Sequence, residues 1–389
     1  MAAVSFQNDT MAIRSRLGRW IAYFFRSVLW SLNLLLVFYT LLGYWLLYAL
    51  PTEHWVASMI MISLPVAWVL NLVLVILWLT ARPWRSWLSG ITLLVGLVLF
   101  GSRTFVFHPT LRDGSPAKQP PGTFAVLSYN LQSFGLDANP ERRVSSPSVR
   151  RTMNYVLRHD APIKCFQELF VSKKLADYDL MRRFPQAGYR YVALLHPERT
   201  RGDDGMLGLA IVSRYPIIRS GREPFGAGVN GVLWADIRIG ADTIRIINVH
   251  LQSMGIRVGR VLRQGELDGV KHETRGVLSA LRNGFIERKE QVRLVEQYIR
   301  SSPYPVIETG DHNDTPYSVV YERLRRLLPN SFEDAGHGFG FTYNRPPGFI
   351  RIDNQFHDPR LTAVNFETIH SVRYSDHYPI LGTYRLNSK

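Results

Sequence analysis

The stretch "ETGDHNDTPYS" (residues 308–318) decides how this sequence is interpreted, because it packs three acids, an asparagine and a histidine between turn-forming residues. Gly, Asp, Asn and Pro favour turns, so a solvated loop is the simplest interpretation. The apolar run "YPVI" (304–307) precedes the stretch directly and predicts a strand that leads into it. The surrounding sequence must decide between a plain loop and a functional turn.

Short apolar runs alternate with turns over most of the chain and predict many strands with a few helices between them. The predicted strands are 123–131, 163–169, 207–217, 304–310, 351–357 and 378–386, together with a hairpin over 232–251 that turns at residues 240–242. Residues 148–160 and 285–301 have helical patterns. This element content predicts an α/β sandwich, with sheet packed on sheet and helices outside.

Polar side chains recur at or near the ends of these predicted strands. They are Asn130, Glu168, His250, Asp311, Asn313, Asp353, Asp376 and His377. Each one alone has a plain explanation, as a turn cap, a solvated strand end or a core histidine. Strand ends, however, are where a rigid sheet directs side chains into a shared site, so the whole set indicates a functional site.

Seven segments carry a family resemblance in the order in which they occur. They are "SYNLQ", "FQEL", "GLAIVSRYPI", "INVHLQS", "TGDHNDTP", "RIDNQF" and "SDHYPI", within residues 123–386. The chain resembles the endonuclease/exonuclease/phosphatase superfamily, which includes abasic endonucleases, inositol phosphatases and sphingomyelinases, and it looks like a membrane-anchored bacterial branch. The resemblance implies a deoxyribonuclease-like fold, a four-layer sandwich of two mixed β-sheets flanked by helices.

The resemblance also implies a metal-dependent phosphohydrolase with a divided site. Glu168 is expected to be the main metal ligand, with Asn130 beside it and Asp376 supporting the metal side. Hard oxygen ligands suit Mg²⁺ or Mn²⁺.

The resemblance implies that the other candidate site residues act on water and phosphate. Asp311 would position or deprotonate the attacking water, and Asn313 would hold the water and a phosphoryl oxygen. His377 would contact the scissile phosphate, oriented by a hydrogen bond to Asp353. His250 would donate to a phosphoryl oxygen or to the leaving group. This division supplies the poised water and charge stabilisation that phosphodiester hydrolysis requires.

Two residues of the opening stretch depart from the family pattern. His312 stands where the family has an apolar residue and is interpreted as a packing variant, and Glu308 is interpreted as an edge residue or a partner of an arginine. The single cysteine, Cys165, excludes an intrachain disulfide, and no Cys/His cluster indicates a zinc-finger site. No catalytic residue of the family is lost, so we expect an active enzyme.

Three apolar runs near the N-terminus, without an acid or a lysine, predict about three transmembrane helices. They cover residues 27–50, 56–80 and 86–101. A helix of the first run's length extends roughly 36 Å, enough for a bilayer core of about 30 Å. A signal peptide, whose apolar core is about 7–15 residues, is the first alternative. A buried hairpin of a soluble protein is the second.

Arginine placement predicts the orientation of these helices. Four arginines precede the first run, the loop "PTEHW" (51–55) has no basic side chain, and the loop "ARPWR" (81–85) has two. Positive loops stay in the cytoplasm, so the N-terminus is expected inside and the catalytic domain on the extracytoplasmic side of the inner membrane. If the third run does not span, this conclusion reverses.

These patterns predict three regions. Residues 1–107 are the membrane region, residues 108–122 are a Pro- and Gly-rich linker, and residues 123–389 are the catalytic domain.

The expected partners are a phosphate-ester substrate and the lipid bilayer. A basic insertion at 256–282 and the aromatic loop 336–348 are candidate substrate contacts, facing nucleic-acid phosphates, an anionic membrane surface or neither. Three hypotheses remain open at this point: a membrane-tethered nuclease or phosphodiesterase, a lipid-directed phosphodiesterase or phosphatase, and a catalytically silent binding module.

Overall fold

The computed structural model describes residues 2–50, 52–108, 120–138, 147–195, 205–226, 228–253, 267–346 and 348–387. Two compact units are present, Met1–Thr52 with Met59–Phe100 and Glu53–Ser58 with Gly101–Lys389. Most of the sequence-predicted linker (109–119), the first part of the basic insertion (256–266) and the side chains of 267–274 lie outside the described residues.

The first unit consists of apolar helices. They are α1 (Ala2–Ala49), α2 (Trp55–Ile62), α3 (Leu64–Ala81) and α4 (Ser86–Phe100). Three stretches are long and apolar enough to cross a membrane, namely Tyr23–Ala49, Leu64–Ala81 and Pro83–Arg103. The second predicted run is divided at Ser63, because Pro65 lies in the first turn of α3 and lacks the N–H that a continuous helix needs.

Buried polar side chains join the helices of this unit. The Asn33 amide donates to Ser89 Oγ over 2.7 Å and accepts from Trp78 Nε1 over 2.7 Å, so one asparagine on α1 links α3 and α4. The Asn71 amide on α3 donates to Thr40 Oγ1 on α1 over 3.0 Å. Hydrogen bonds of this kind hold apolar helices together where packing against lipid gives no hydrophobic driving force.

The described residues of the second unit form eleven strands in two sheets. The strands are β1 (Thr123–Asn130), β2 (Ile163–Ser172), β3 (Tyr191–Leu195), β4 (Gly205–Ser213), β5 (Ile217–Pro224), β6 (Gly231–Ile239), β7 (Asp242–His250), β8 (Val306–Asp311), β9 (Asp353–His357), β10 (Leu361–Thr368) and β11 (Ile380–Leu386). The orders are β10-β11-β1-β2-β4-β3 and β5-β6-β7-β8-β9. Both sheets are mixed, since β1 pairs parallel with β2 and β7 parallel with β8.

Strand alternation produces the central core between the sheets. On β7, Ile244 and Ile246 enter a cluster with residues of both sheets, while Ile247 and Val249 face the opposite side. On β1, Phe124 and Val126 enter the same central cluster. The buried inner faces fix the register, because a one-residue shift would turn every inner side chain outward.

Helices cover the outer face of each sheet. They are α5 (Pro147–Arg158), α6 (Leu180–Gln186), α7 (Leu267–Arg300), α8 (Val319–Arg325) and α9 (Ser331–Ala335). Met153 of α5 and Phe184 of α6 pack on the six-stranded sheet, and Val292 and Val295 of α7 pack on the five-stranded sheet. The unit is therefore the predicted four-layer sandwich of two mixed sheets flanked by helices.

The chain that follows α4 is built into the second unit, although the sequence analysis placed it in the membrane region. Arg103 is 3% exposed and forms an ion pair of 2.5 Å with Glu322. Its carbonyl accepts from Arg351 over 2.7 Å. Val106 pairs with Gly338 and is buried beside Phe332. Residues 101–106 are therefore part of the fold of this unit.

Gly310, directly before Asp311 near the end of β8, is a position where only glycine fits. Its φ is +146°, and an added Cβ would lie 2.0 Å from the Val249 carbonyl oxygen on the neighbouring strand. We expect Gly310→Ala to lower the free energy of unfolding by about 3 kcal/mol, since both strain and a clash with backbone must be relieved. Denaturant unfolding of the full chain in detergent measures this change.

The matched control is Gly276→Ala on α7, where an added Cβ meets nothing within 4 Å. Because alanine favours helix over glycine, this variant should be neutral or more stable by up to about 1 kcal/mol. Equal stability of the two variants would contradict the structural reason given for Gly310.

Candidate active site

The inner faces of the strands meet at one edge of the sandwich, and polar side chains replace apolar ones there. Asn130 ends β1 on the side of Phe124 and Val126. In the other sheet, His250 lies opposite Asp311, and Asp311 lies opposite Asp353. All four polar side chains are at most 3% exposed, so the sheets bring them together at the mouth of the central core.

Glu168 reaches this mouth through an irregularity in its strand. The sequence predicted that Glu168 ends a strand, but β2 continues to Ser172 and its pairing with β4 shifts register between Phe166 and Leu169. Glu168 has a φ of +50°, which is uncommon for a residue with a side chain. Such irregularities redirect side chains beside active sites.

Asp311 is the central acceptor of the site. Its Oδ2 accepts from Asn130 Nδ2 over 2.8 Å, and its Oδ1 accepts from the Asn313 backbone N–H over 2.8 Å. The Nε2 atoms of His250 and His377 each lie 3.6 Å from the same Oδ2. Both 3.6 Å distances are longer than a hydrogen bond, so the two imidazoles face a shared position without closing on the carboxylate.

His377 is oriented by Asp353. Its Nδ1 donates to Asp353 Oδ2 over 2.8 Å, and its ring packs edge-on against Tyr343 with centroids 5.5 Å apart. Burial alone would lower the pKa of His377, but the carboxylates of Asp353 and Asp311 raise this pKa well above its usual value. These carboxylates favour the imidazolium form of His377, whose Nε2 faces the site.

His250 and Asn313 complete the side that faces Asp311. His250 Nε2 lies 3.7 Å from Glu168 Oε1, and its buried Nδ1 has no hydrogen-bond partner among the described residues. Asn313 has a φ of +50°, and its side-chain amide donates to the Leu251 carbonyl over 2.9 Å. The backbone and side-chain contacts of Asn313 thus join the turn after β8 to the end of β7.

Glu168, Asn130 and Asp376 form the oxygen-rich side of the site. The side chains of Glu168 and Asp376 are 23% and 18% exposed, more than the other acids of the site. Burial raises the pKa of Glu168, and the carboxylates of Asp311 and Asp376 add to this effect. Its hydrogen bonds, from Asn130 and Ser133, are long at 3.5 and 3.4 Å.

A divalent cation would fit this side of the site. It would offset the repulsion among the carboxylates, and two carboxylates with an amide oxygen are hard donors of the kind that Mg²⁺ and Mn²⁺ prefer. Asn130 Oδ1 accepts from the Gln132 N–H over 3.0 Å and retains a second lone pair. Asp311, Asp353 and His377 also offer ligand atoms within 4.8 Å of one another. We interpret that triad as a hydrogen-bonded chain because of its 2.8 Å contact.

The interpretation of Glu308 as an edge residue or arginine partner is wrong. Glu308 is completely buried, and its two carboxylate oxygens lie 3.0 and 3.2 Å from His312 Nε2. His312 Nδ1 lies 3.0 Å from the Gly310 carbonyl. The Glu308 carboxylate raises the pKa of His312, which favours an ion pair between the two side chains. Glu308 and His312, the two departures in the opening stretch, are therefore partners of each other at the end of β8.

Sequence reasoning missed three side chains that position the site. Ser375 Oγ donates to the Asn130 carbonyl over 2.8 Å and accepts from the His377 N–H over 3.2 Å. Gln132 Oε1 accepts from the Asp376 N–H over 3.3 Å. Tyr343 packs on His377. Gln132 ends the motif "SYNLQ" and Ser375 begins the motif "SDHYPI". Their closeness to Asn130 and Asp376 in the sequence could have indicated that they belong to the site.

The comparisons with known proteins agree with this architecture. The profile of the endonuclease/exonuclease/phosphatase family matches residues 127–377, well over half of the chain. The chain belongs to the endonuclease/exonuclease/phosphatase family, whose members are hydrolases of phosphate esters. A domain of unknown function matches residues 26–103, which contain the apolar helices. None of the curated proteins matches the chain.

Several solved structures are similar to the chain at low identity. An endonuclease/exonuclease/phosphatase from Beutenbergia cavernae DSM 12333 is 15% identical, with 70% of this chain and 72% of that chain covered and a TM-score of 0.49. A family protein from Bacteroides thetaiotaomicron is 18% identical, with coverage of 70% and 100% and a TM-score of 0.48. The human Nocturnin catalytic domain with bound sulfate is 14% identical, with coverage of 69% and 97% and a TM-score of 0.48.

Proposed function

We propose that this protein is a membrane-tethered phosphodiesterase that depends on Mg²⁺ or Mn²⁺ and cleaves its ester by attack of an activated water. The observation that carries the proposal is the position of Asp311, whose Oδ2 lies 3.6 Å from the Nε2 atoms of both His250 and His377. The Asp311 carboxylate and the two imidazole rings thus face one position. A base for water and donors to phosphate are what hydrolysis of a phosphate ester requires there.

Each side chain has a step that follows from its contacts. Asp311 takes a proton from water as the new P–O bond forms, held in place by Asn130 and the Asn313 N–H. The His377 imidazolium, fixed by Asp353, donates from Nε2 to a non-bridging phosphoryl oxygen. As the ester P–O bond breaks, its oxygen receives a proton from His250 or from water.

Glu168, Asn130 and Asp376 are the residues that would hold the metal ion. When bound, the ion supplies Lewis-acid stabilisation of the negative charge on the phosphoryl group. The exposed fraction of Glu168, its raised pKa and its long hydrogen bonds support this assignment. Asn313 holds the attacking water beside Asp311 in this proposal.

The metal assignment predicts the behaviour of Glu168→Gln. The amide keeps the shape but loses the charge, so the Mg²⁺ or Mn²⁺ concentration for half-maximal activity should rise about 10- to 100-fold. A titration of activity against metal, after removal of metal with EDTA, measures the shift. Glu287→Gln, an exposed position on α7, is the matched control. An unchanged metal requirement in Glu168→Gln would contradict its role as a ligand.

The function itself is tested with the full chain in detergent. Hydrolysis of bis-p-nitrophenyl phosphate, plasmid DNA and phospholipid is assayed with Mg²⁺ or Mn²⁺, because nucleic-acid and lipid substrates remain the two substrate classes. Turnover of any of these that EDTA abolishes supports the proposal. A folded, metal-loaded protein that turns over none of them would favour the binding-module alternative.

In this proposal three helices span the membrane and the catalytic domain lies on the extracytoplasmic side. An ion-pair cluster supports the third span. Glu53, in the loop after α1, belongs to the second unit and pairs with Arg323, Arg293 and Lys289 at 2.5, 2.9 and 3.3 Å. In this proposal the loop and the catalytic domain share one side of the membrane. An even number of spans between the loop and the domain satisfies this requirement, so the contact favours a third span over its absence.

A further inference from the structure

The second unit carries a surface cluster of phenylalanine rings, here called the phenylalanine patch (Phe105, Phe107, Phe339 and the half-buried Phe341). Phe105, Phe107 and Phe339 are 49%, 65% and 50% exposed. The rings of Phe105 and Phe339 have centroids 5.1 Å apart, and Phe339 stacks on Phe341 at 5.2 Å. Grouped exposed rings of this size mark an interaction surface.

Backbone pairing holds these rings outward. The Val106 N–H donates to the Gly338 carbonyl over 3.1 Å, and the Gly338 N–H donates to the Val106 carbonyl over 2.8 Å. Val106 is buried in a cluster with Phe332. Because successive side chains of an extended segment point to opposite sides, burial of Val106 directs Phe105 and Phe107 to the surface. The exposure of the patch is therefore a fixed feature of the fold.

The position of the patch in the chain identifies lipid as its partner. The apolar helix of the third candidate span, α4, ends at Phe100, and Phe107 follows seven residues later. Seven residues reach at most about 25 Å even when fully extended, so the chain keeps Phe107 near the membrane surface at which α4 ends. The segment "TFVF" (104–107), which contains two rings of the patch, has no charged residue. Phenylalanine side chains enter the boundary between headgroups and acyl chains readily.

The same loop connects the patch to the candidate active site. Tyr343, two residues after Phe341, packs against His377 with centroids 5.5 Å apart. The next residue, Asn344, donates its N–H to the Asp376 carbonyl over 2.7 Å. The rim of the site and the patch are thus two ends of one short segment.

We propose that the phenylalanine patch docks into the interfacial layer of the bilayer that the N-terminal helices span, and so holds the rim of the active site at the membrane surface. This inference rests on the membrane anchoring in the proposed function. It does not depend on catalysis, so it is testable without an active substrate.

The test uses nitroxide labels on single introduced cysteines. Cys165, the chain's one cysteine, is completely buried and burial raises the pKa of its thiol, so introduced cysteines react selectively. Phe339→Cys and Phe107→Cys report on the patch. Leu35→Cys, on a 65% exposed position of the first candidate span, reports on anchoring. Ile218→Cys, on a 42% exposed position of β5, is the control in water.

The full chain is reconstituted in vesicles of phosphatidylcholine and phosphatidylglycerol, and label accessibility to oxygen and to a water-soluble nickel chelate is measured. We expect labels at 339 and 107 to be severalfold less accessible to nickel than the label at 218, with the label at 35 the most protected. The docking inference alone would be overturned if nickel reached the labels at 339 and 107 as readily as the label at 218 while the label at 35 stayed protected. Nickel access at 35 would overturn the anchoring as well.

Discussion

Replacing Asp311 with asparagine should lower kcat by about 1,000-fold and leave KM nearly unchanged, because the shape of the site is kept while its base is lost. The asparagine carbonyl can accept one of the two 2.8 Å hydrogen bonds that Asn130 and the Asn313 N–H donate to the carboxylate, whereas its NH2 group cannot accept the other. The amide cannot take a proton from water at neutral pH. The rate of bis-p-nitrophenyl phosphate hydrolysis by the full chain, at saturating metal, measures the loss.

Asp242→Asn, at the exposed start of β7, makes the same chemical change away from the site. It should keep the wild-type rate. If Asp311→Asn retained a rate within tenfold of the control, the water would have to be activated by another group, and the proposed role of Asp311 would be abandoned.

Glu308→Ala should lower the free energy of unfolding by about 3–5 kcal/mol, because it leaves His312 buried without its counter-charge. Glu308 and His312 are 0% and 2% exposed. Burial lowers the pKa of His312, but the Glu308 carboxylate more than offsets this, and the net shift raises the pKa above its usual value. Urea unfolding of the full chain in detergent, with Glu287→Ala as the exposed control, measures the loss.

Two further measurements separate loss of the ion pair from loss of volume. A folded-state pKa above the unfolded value of about 6.5 means that the pair's contribution is complete at lower pH and declines as pH rises through the folded-state pKa. The stability difference between wild type and Glu308→Ala should therefore shrink at alkaline pH. The apolar double variant Glu308→Val/His312→Leu should recover most of the loss. No recovery and no pH dependence would show that packing alone explains the effect.

The sequence was sufficient for the fold and for the residues that meet at the mouth of the sandwich. Asn130, His250, Asp311 and Asp353 could be placed because each follows or begins an apolar run, and alternation then fixes the face that it shares with the core. The hairpin turn between β6 and β7 was placed correctly for the same reason.

Features that depend on strand pairing, on the course of a turn or on contacts between distant segments could not be predicted. Glu168 was expected at a strand end, whereas it lies at a register shift that only the pairing of β2 with β4 reveals. The partner of Glu308 could not be identified either, because the turn after β8 brings His312 back beside it. Arg103 fell within the predicted membrane region (1–107), and its ion pair with Glu322 joins positions more than two hundred residues apart.

For the membrane-anchored enzyme proposed above, the burial of Arg103 has a consequence for shedding of the catalytic domain. A protease that cut the chain between residues 109 and 119 would sever the covalent link, yet Arg103 and Val106 would stay seated in the released domain's core through Glu322, Arg351 and Gly338. Cleavage there would nick the protein without freeing it. Soluble enzyme could arise only if the cut fell on the membrane side of Gly101, or if the seated segment were pulled out at the cost of a buried ion pair.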